Sequence, residues 1–140
     1  MKLITYVTFA GNCEEAINFY KEALGAEVLL VSRIGDSKME IAEVLKNKIM
    51  HARLRIGENE LYMSDTFDAS SVKQGNNISL SIQIDDTVQL EKLFNGLSAG
   101  GTVKMPLEDT FWGARFGMFI DKFGIHWMMN CELKKETALN

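Results

Sequence analysis

The chain spells the same order of elements twice, and this repeat limits its fold more than any other feature. Residues 3–9 (LITYVTF) are rich in β-branched and aromatic side chains and predict a strand. Asn12-Cys13-Glu14-Glu15 has capping-box spacing, and Ala16, Phe19, Tyr20, Ala23 and Leu24 then recur at helical intervals as far as Gly25. Strands are expected at 26–33, 48–56 and 60–65, around a mixed, partly helical stretch at 34–47 and a turn at Gly57-Glu58-Asn59. A polar, turn-prone segment at 66–77 reads as the linker.

The order then starts again. ISLSIQI at 78–84 alternates as a strand does, and Asp86-Thr87-Val88-Gln89 is a second capping box. Leu90, Leu93, Phe94 and Leu97 supply the helical stripe, and Gly100-Gly101 stops it. Sliding the chain by 74 residues lays Asn12 on Asp86, Phe19 on Leu93 and Tyr20 on Phe94. Further strands are expected at about 102–105, 114–121 and 124–131, with a hairpin turn at Lys122-Phe123-Gly124 and a polar, frayed tail from Glu132. The fold class is therefore α+β: one domain over 1–140, built of two βαβββ modules at about 1–66 and 77–132. Each helix is expected to cover one sheet face, and the two sheets side by side to form an open cup.

Fifteen Lys and Arg stand against nineteen Asp and Glu, a net charge of -4, and no basic face of the kind a nucleic-acid binder shows is present. The two cysteines, Cys13 and Cys131, are far apart and lie in no CxxC pair, which excludes a disulfide scaffold and a CxxC zinc site. No apolar stretch approaches the roughly 20 residues of a membrane helix, and the N-terminus lacks the long apolar region of a signal peptide. A cytoplasmic protein without membrane or nucleic-acid partners is expected. Neither a P-loop nor a GxGxxG motif after a strand is found, and no Ser-His-Asp order occurs.

Alternation within strands assigns the faces. Ile78, Leu80, Ile82 and Ile84 oppose Ser79, Ser81 and Gln83; Met50, Ala52, Leu54 and Ile56 oppose His51, Arg53 and Arg55. In the last strand Ile125, Trp127 and Met129 oppose His126, Met128 and Asn130. The apolar faces are expected under the helices. The others then carry both histidines and two of the four arginines, either as the lining of a functional cavity or as an ordinary solvated face.

The segments YVTFAGNCEEAINFYKEALGAEV, IMHARLRIGENELYMSD and MPLEDTFWGARFGMFIDKFGIHWMMNCE closely resemble the PhnB-like branch of the vicinal oxygen chelate superfamily, from about residue 3 to residue 132. The resemblance implies paired βαβββ modules around a cup-shaped site, in a homodimer. It also implies, for metal-dependent members, four inward ligands of His or Glu type that hold a divalent ion as Lewis acid. Carried over position by position, these fall on Thr5, on Tyr62 or Met63, on Asn77 give or take one residue, and on Met128. None is a good ligand for such an ion, so no metal or other cofactor is expected at the inherited site, and a divalent metal elsewhere remains the alternative.

His51 and His126 are the candidate acid–base residues, with pKa values adjustable near neutrality. Arg53, Arg55 and Arg115 have the geometry to clamp an anion. With Ser79, Ser81, Gln83, Trp112, Phe116, Met128 and Asn130 they make up the candidate ligand-binding set, Phe111 and the methionines adding apolar wall. The favoured expectation is a protein binding a small, partly apolar, anionic molecule without the usual metal. The alternative is a metal-assisted lyase, isomerase or transferase using a relocated site on His51 and His126, completed by Glu60, Asp65 or Glu108.

Overall fold

Residues 1–38 and 40–133 are described by the structure, a computed structural model. The chain divides into one unit over Met1–Lys73 and a second from Gln74 onward. In the first, β1 (Thr5–Phe9), α1 (Cys13–Leu24), β2 (Glu27–Arg33), β3 (Ile49–Ile56) and β4 (Asn59–Asp65) form a sheet of order β1-β4-β3-β2. In the second, β5 (Leu80–Gln83), α2 (Thr87–Ser98), β6 (Thr102–Asp109), β7 (Ala114–Ile120) and β8 (His126–Glu132) form a sheet of order β5-β8-β7-β6. In each, the first strand pairs parallel with the last and the other pairs are antiparallel. Two βαβββ modules in an α+β chain are thus the vicinal oxygen chelate fold that the sequence implies.

Each helix packs on its own sheet. Cys13, Ala16, Ile17 and Tyr20 of α1 are buried, as are Leu90, Phe94 and Leu97 of α2. They meet Ala52, Leu54, Leu61 and Met63 in the first unit and Phe119, Trp127 and Met129 in the second. Gly25 ends α1 at φ 66°, the left-handed conformation that the absence of a Cβ makes inexpensive.

The two helix starts differ. Asp86 caps α2 as its sequence implies, accepting from the Val88 and Gln89 amides at 2.9 and 3.4 Å. Asn12 makes no side-chain capping bond. The Cys13 amide instead donates to Asp65 Oδ1 at 2.9 Å, while Asp65 Oδ2 accepts from the Ile49 amide at 2.9 Å. A buried carboxylate from the end of β4 thus replaces the local cap and ties α1 to β3. Asp65 is thereby removed from the possible metal ligands.

Four further expectations are corrected. Met50 is 43% exposed while Ile49 is fully buried, because Ser32 pairs with His51 and Arg33 with Ile49, which leaves Met50 as the extra residue of a bulge in β3. Ile78 lies before β5 and is exposed. β6 runs on to Asp109 rather than stopping near 105, since it is an edge strand where Pro106, the one proline, removes no needed donor. Glu132 belongs to β8, and the tail expected to fray otherwise falls mostly on 134–140, outside the described residues. No helix among the described residues is long and apolar enough to cross a membrane.

Candidate functional site

Because α1 takes one face of the first sheet, the other face collects the polar residues of β1, β3 and β4. Tyr6 pairs in register with Tyr62, and Tyr62 with Arg53. The Tyr6 hydroxyl and His51 Nδ1 are 3.1 Å apart, with the two rings stacked at 5.7 Å. The Tyr62 ring stands edge-on to His51 at 5.2 Å and to Tyr6 at 6.2 Å. The Arg53 guanidinium lies over the Tyr62 ring, 5.0 Å from its centre. His51, Arg53 and Tyr62 are half-buried and Tyr6 is 48% exposed, so the cluster is held firmly yet reachable.

Its charge balance favours an anion. Arg53 Nη2 donates to Glu60 Oε1 at 2.9 Å, and Lys2 donates to the other oxygen of Glu60. Lys2, and after it Arg53, holds the Glu60 carboxyl below its usual range. Two cations thus share one carboxylate, and Arg53 Nε is buried without a hydrogen-bond partner. Arg55, further along β3, pairs at 3.3 Å with Glu27 across the sheet edge and joins no ring. Glu60, committed to two cations, is a poor remaining metal ligand.

The uncovered face of the second sheet is different in kind. Gln83 lies opposite Asn130, whose Nδ2 donates to Gln83 Oε1 at 3.0 Å. Ser81 lies opposite Met128, Met128 opposite Met118, and Ile120 opposite His126. Phe116, opposite both Asn130 and Glu108, touches Trp112 at 6.2 Å between centroids. Trp112 is 55% exposed and Phe111 almost wholly so. Ser79 sits just before β5.

Arg115 stands apart from this set. It is in register with buried Cys131 on the helix side, and its guanidinium donates to Asp109 at 2.8 Å and to Glu91 of α2 at 3.1 Å. Its neighbour Phe116 takes the open face because adjacent strand residues alternate. Tyr6 is a residue that sequence reasoning passed over. Alternation within 3–9 sets Tyr6 opposite Phe9, but only pairing with β4 shows which face is free.

Cys13 is fully buried, and burial followed by the nearby Asp65 and Glu14 charges pushes its thiol up to about 12. Cys131 is also buried. Neither is a nucleophile. Native protein at pH 8 is expected to leave both thiols unreacted with Ellman's reagent over minutes, and denatured protein to release two equivalents at once. Because the folded thiol titrates above the unfolded one, Cys13 favours the folded state below about pH 9, and that contribution falls away as pH climbs towards 12.

Residues 2–129 match the Glyoxalase/Bleomycin resistance protein/Dioxygenase superfamily. The chain belongs to that superfamily. It is 31% identical to the protein YjdN of Escherichia coli, over 98% of this chain and 99% of that one. A solved structure, protein PA1353 from Pseudomonas aeruginosa, is 43% identical and superposes with a TM-score of 0.85, covering 96% of this chain and 99% of its own. The PhnB protein from Bacillus cereus shares the fold at 24% identity, with a TM-score of 0.80 over 94% and 99% of the two chains.

The donors present do not fit the divalent ion of metal-dependent superfamily members. Thr5 pairs with buried Leu61 and Met63 is fully buried under α1, leaving Tyr6 and Tyr62 as the open-face residues of β1 and β4. In the second unit Asn77 precedes β5, and Met128 offers a thioether. Phenols, an amide and a thioether are weak ligands for a hard or borderline ion. Among the described residues no three His, Cys, Asp or Glu side chains gather as a ligand group.

Proposed function

We propose that this superfamily member binds a small, partly apolar anion without an obligatory divalent metal, as a cytoplasmic homodimer. The observation that carries the reading is the Tyr6–His51–Tyr62–Arg53 cluster on the uncovered face of the first sheet. Its rings offer flat apolar surface, His51 is oriented by Tyr6, and Arg53 with Lys2 leaves a surplus positive charge beside them. Such a mixture of apolar wall and a few fixed polar groups is what small-molecule sites present. The methionine, aromatic and amide lining of the second sheet supports the same reading.

The test pairs elemental analysis of protein purified without added metal with thermal-shift assays against aromatic carboxylates and alkyl phosphonates, with and without Mn(II), Ni(II) and Zn(II). Metal well below one equivalent is expected, with a stabilising probe whose affinity falls at least tenfold in both His51→Ala and Arg53→Gln. Equimolar, tightly held manganese, nickel or zinc would sink the reading, as would a probe indifferent to both substitutions.

The fixed 3.1 Å contact between Tyr6 and His51 also suits acid–base chemistry, in the manner of an isomerase or lyase. That second reading requires any turnover found to disappear when His51 and His126 are both replaced by alanine.

A further inference from the structure

The uncovered face of the second sheet carries three methionines in one row. Met118 of β7 lies directly opposite Met128 of β8, and Met105 of β6 is the register partner of Met118, set between two register shifts of β6. Directly opposed residues share a face and hold their Cβ atoms about 5 Å apart. Three flexible thioether arms, each with three rotatable bonds, therefore rise from adjacent strands and can close on a common point. His126 stands on the same face, two residues before Met128 and opposite Ile120. Its imidazole is half-buried and makes no hydrogen bond or ion pair among the described residues. Met105 is 47% exposed, so the row is open to solvent in this unit.

The geometry points to a soft monovalent cation site, for Cu(I) or its d10 congener Ag(I), with Met105, Met118 and Met128 as thioether ligands and His126 as the imidazole. Thioether sulfur selects soft ions and discriminates against magnesium, calcium and manganese. Three thioethers and a coordinating imidazole bring no negative charge, and a monovalent ion loses far less hydration energy than a divalent one on entering such a set. The site lies within one sheet and does not rest on the small-molecule reading. No carboxylate stands in the methionine row itself; by register the nearest on this face is Glu108, one pair along and opposite Phe116.

The experiment uses the whole chain carrying carbon-13 methyl-labelled methionine, titrated with Ag(I) in chloride-free buffer, and competition for Cu(I) against a chromophoric chelator under reducing, anaerobic conditions. Of the eight methionine methyl signals, those of Met105, Met118 and Met128 are expected to shift by one equivalent, together with the His126 ring protons. Replacing Met118 and Met128 together by leucine conserves volume and is expected to leave the melting curve near wild type while weakening Ag(I) at least tenfold. His126→Ala is expected to weaken it several-fold. Binding that leaves those three methyls unmoved, as capture by Cys13 or Cys131 would, overturns the site; so do equal shifts of all eight signals, or an affinity unchanged in the double leucine variant.

Discussion

Alanine at position 121 is expected to lower the unfolding free energy by roughly 3–5 kcal/mol, the cost of taking a buried carboxylate away from three N–H donors that bond to it. Asp121 closes β7 and is only 3% exposed. Its Oδ1 accepts from the Phe123 and Ile125 amides at 2.8 and 3.0 Å, and its Oδ2 accepts from Trp127 Nε1 at 2.9 Å. The carboxylate therefore shapes the turn into β8 and orients the indole that stacks on Phe119 beneath α2. Without it three donors are left buried or must find water, each at about 1–3 kcal/mol. Urea unfolding followed by tryptophan fluorescence measures the loss. Asp121→Asn, which keeps one acceptor, is expected to lose roughly half as much. A loss under about 1 kcal/mol for the alanine variant would show that the turn holds its shape without the carboxylate.

Gly101→Ala is expected to destabilise the second unit by about 3 kcal/mol, at the upper end of what overpacking costs. A Cβ there would stand 2.1 Å from the Ile120 carbonyl oxygen and 2.9 Å from the Asp121 carbonyl carbon. Both are backbone atoms of the neighbouring strand, so neither can swing aside as a side chain would. The Gly101 amide meanwhile donates to the Ser98 carbonyl at 2.9 Å, which pins the chain between α2 and β6. Gly25→Ala is the comparison: it meets open space, and its cost is the left-handed backbone alone, about 1–2 kcal/mol. Equal losses in the two variants, read from the same urea curves, would refute the steric account of Gly101.

The duplicated architecture was legible because its signals are local. Helical stripes at 16–24 and 90–97, turn glycines and strand alternation each depend on residues a few positions apart, and repetition makes them reinforce one another. Where a contact spans the fold, local signals mislead. Asn12 has the spacing of a cap, yet Asp65, 53 residues on, already fills that role. Arg115 shares a motif with Trp112 and Phe116, but one residue of alternation sends it to Glu91 instead.

By itself the amino-acid sequence determined two βαβββ modules, their superfamily, and which strand faces are polar, since periodicity and motif are properties of neighbours along the chain. Only the tertiary structure decided that Tyr6 supports His51, that Glu60 is shared by Lys2 and Arg53, and that three methionines stand in one row. Those facts depend on strand register, including its shifts in the β2–β3 and β6–β7 pairs, and a register is set by packing between segments distant in sequence rather than by any of them alone.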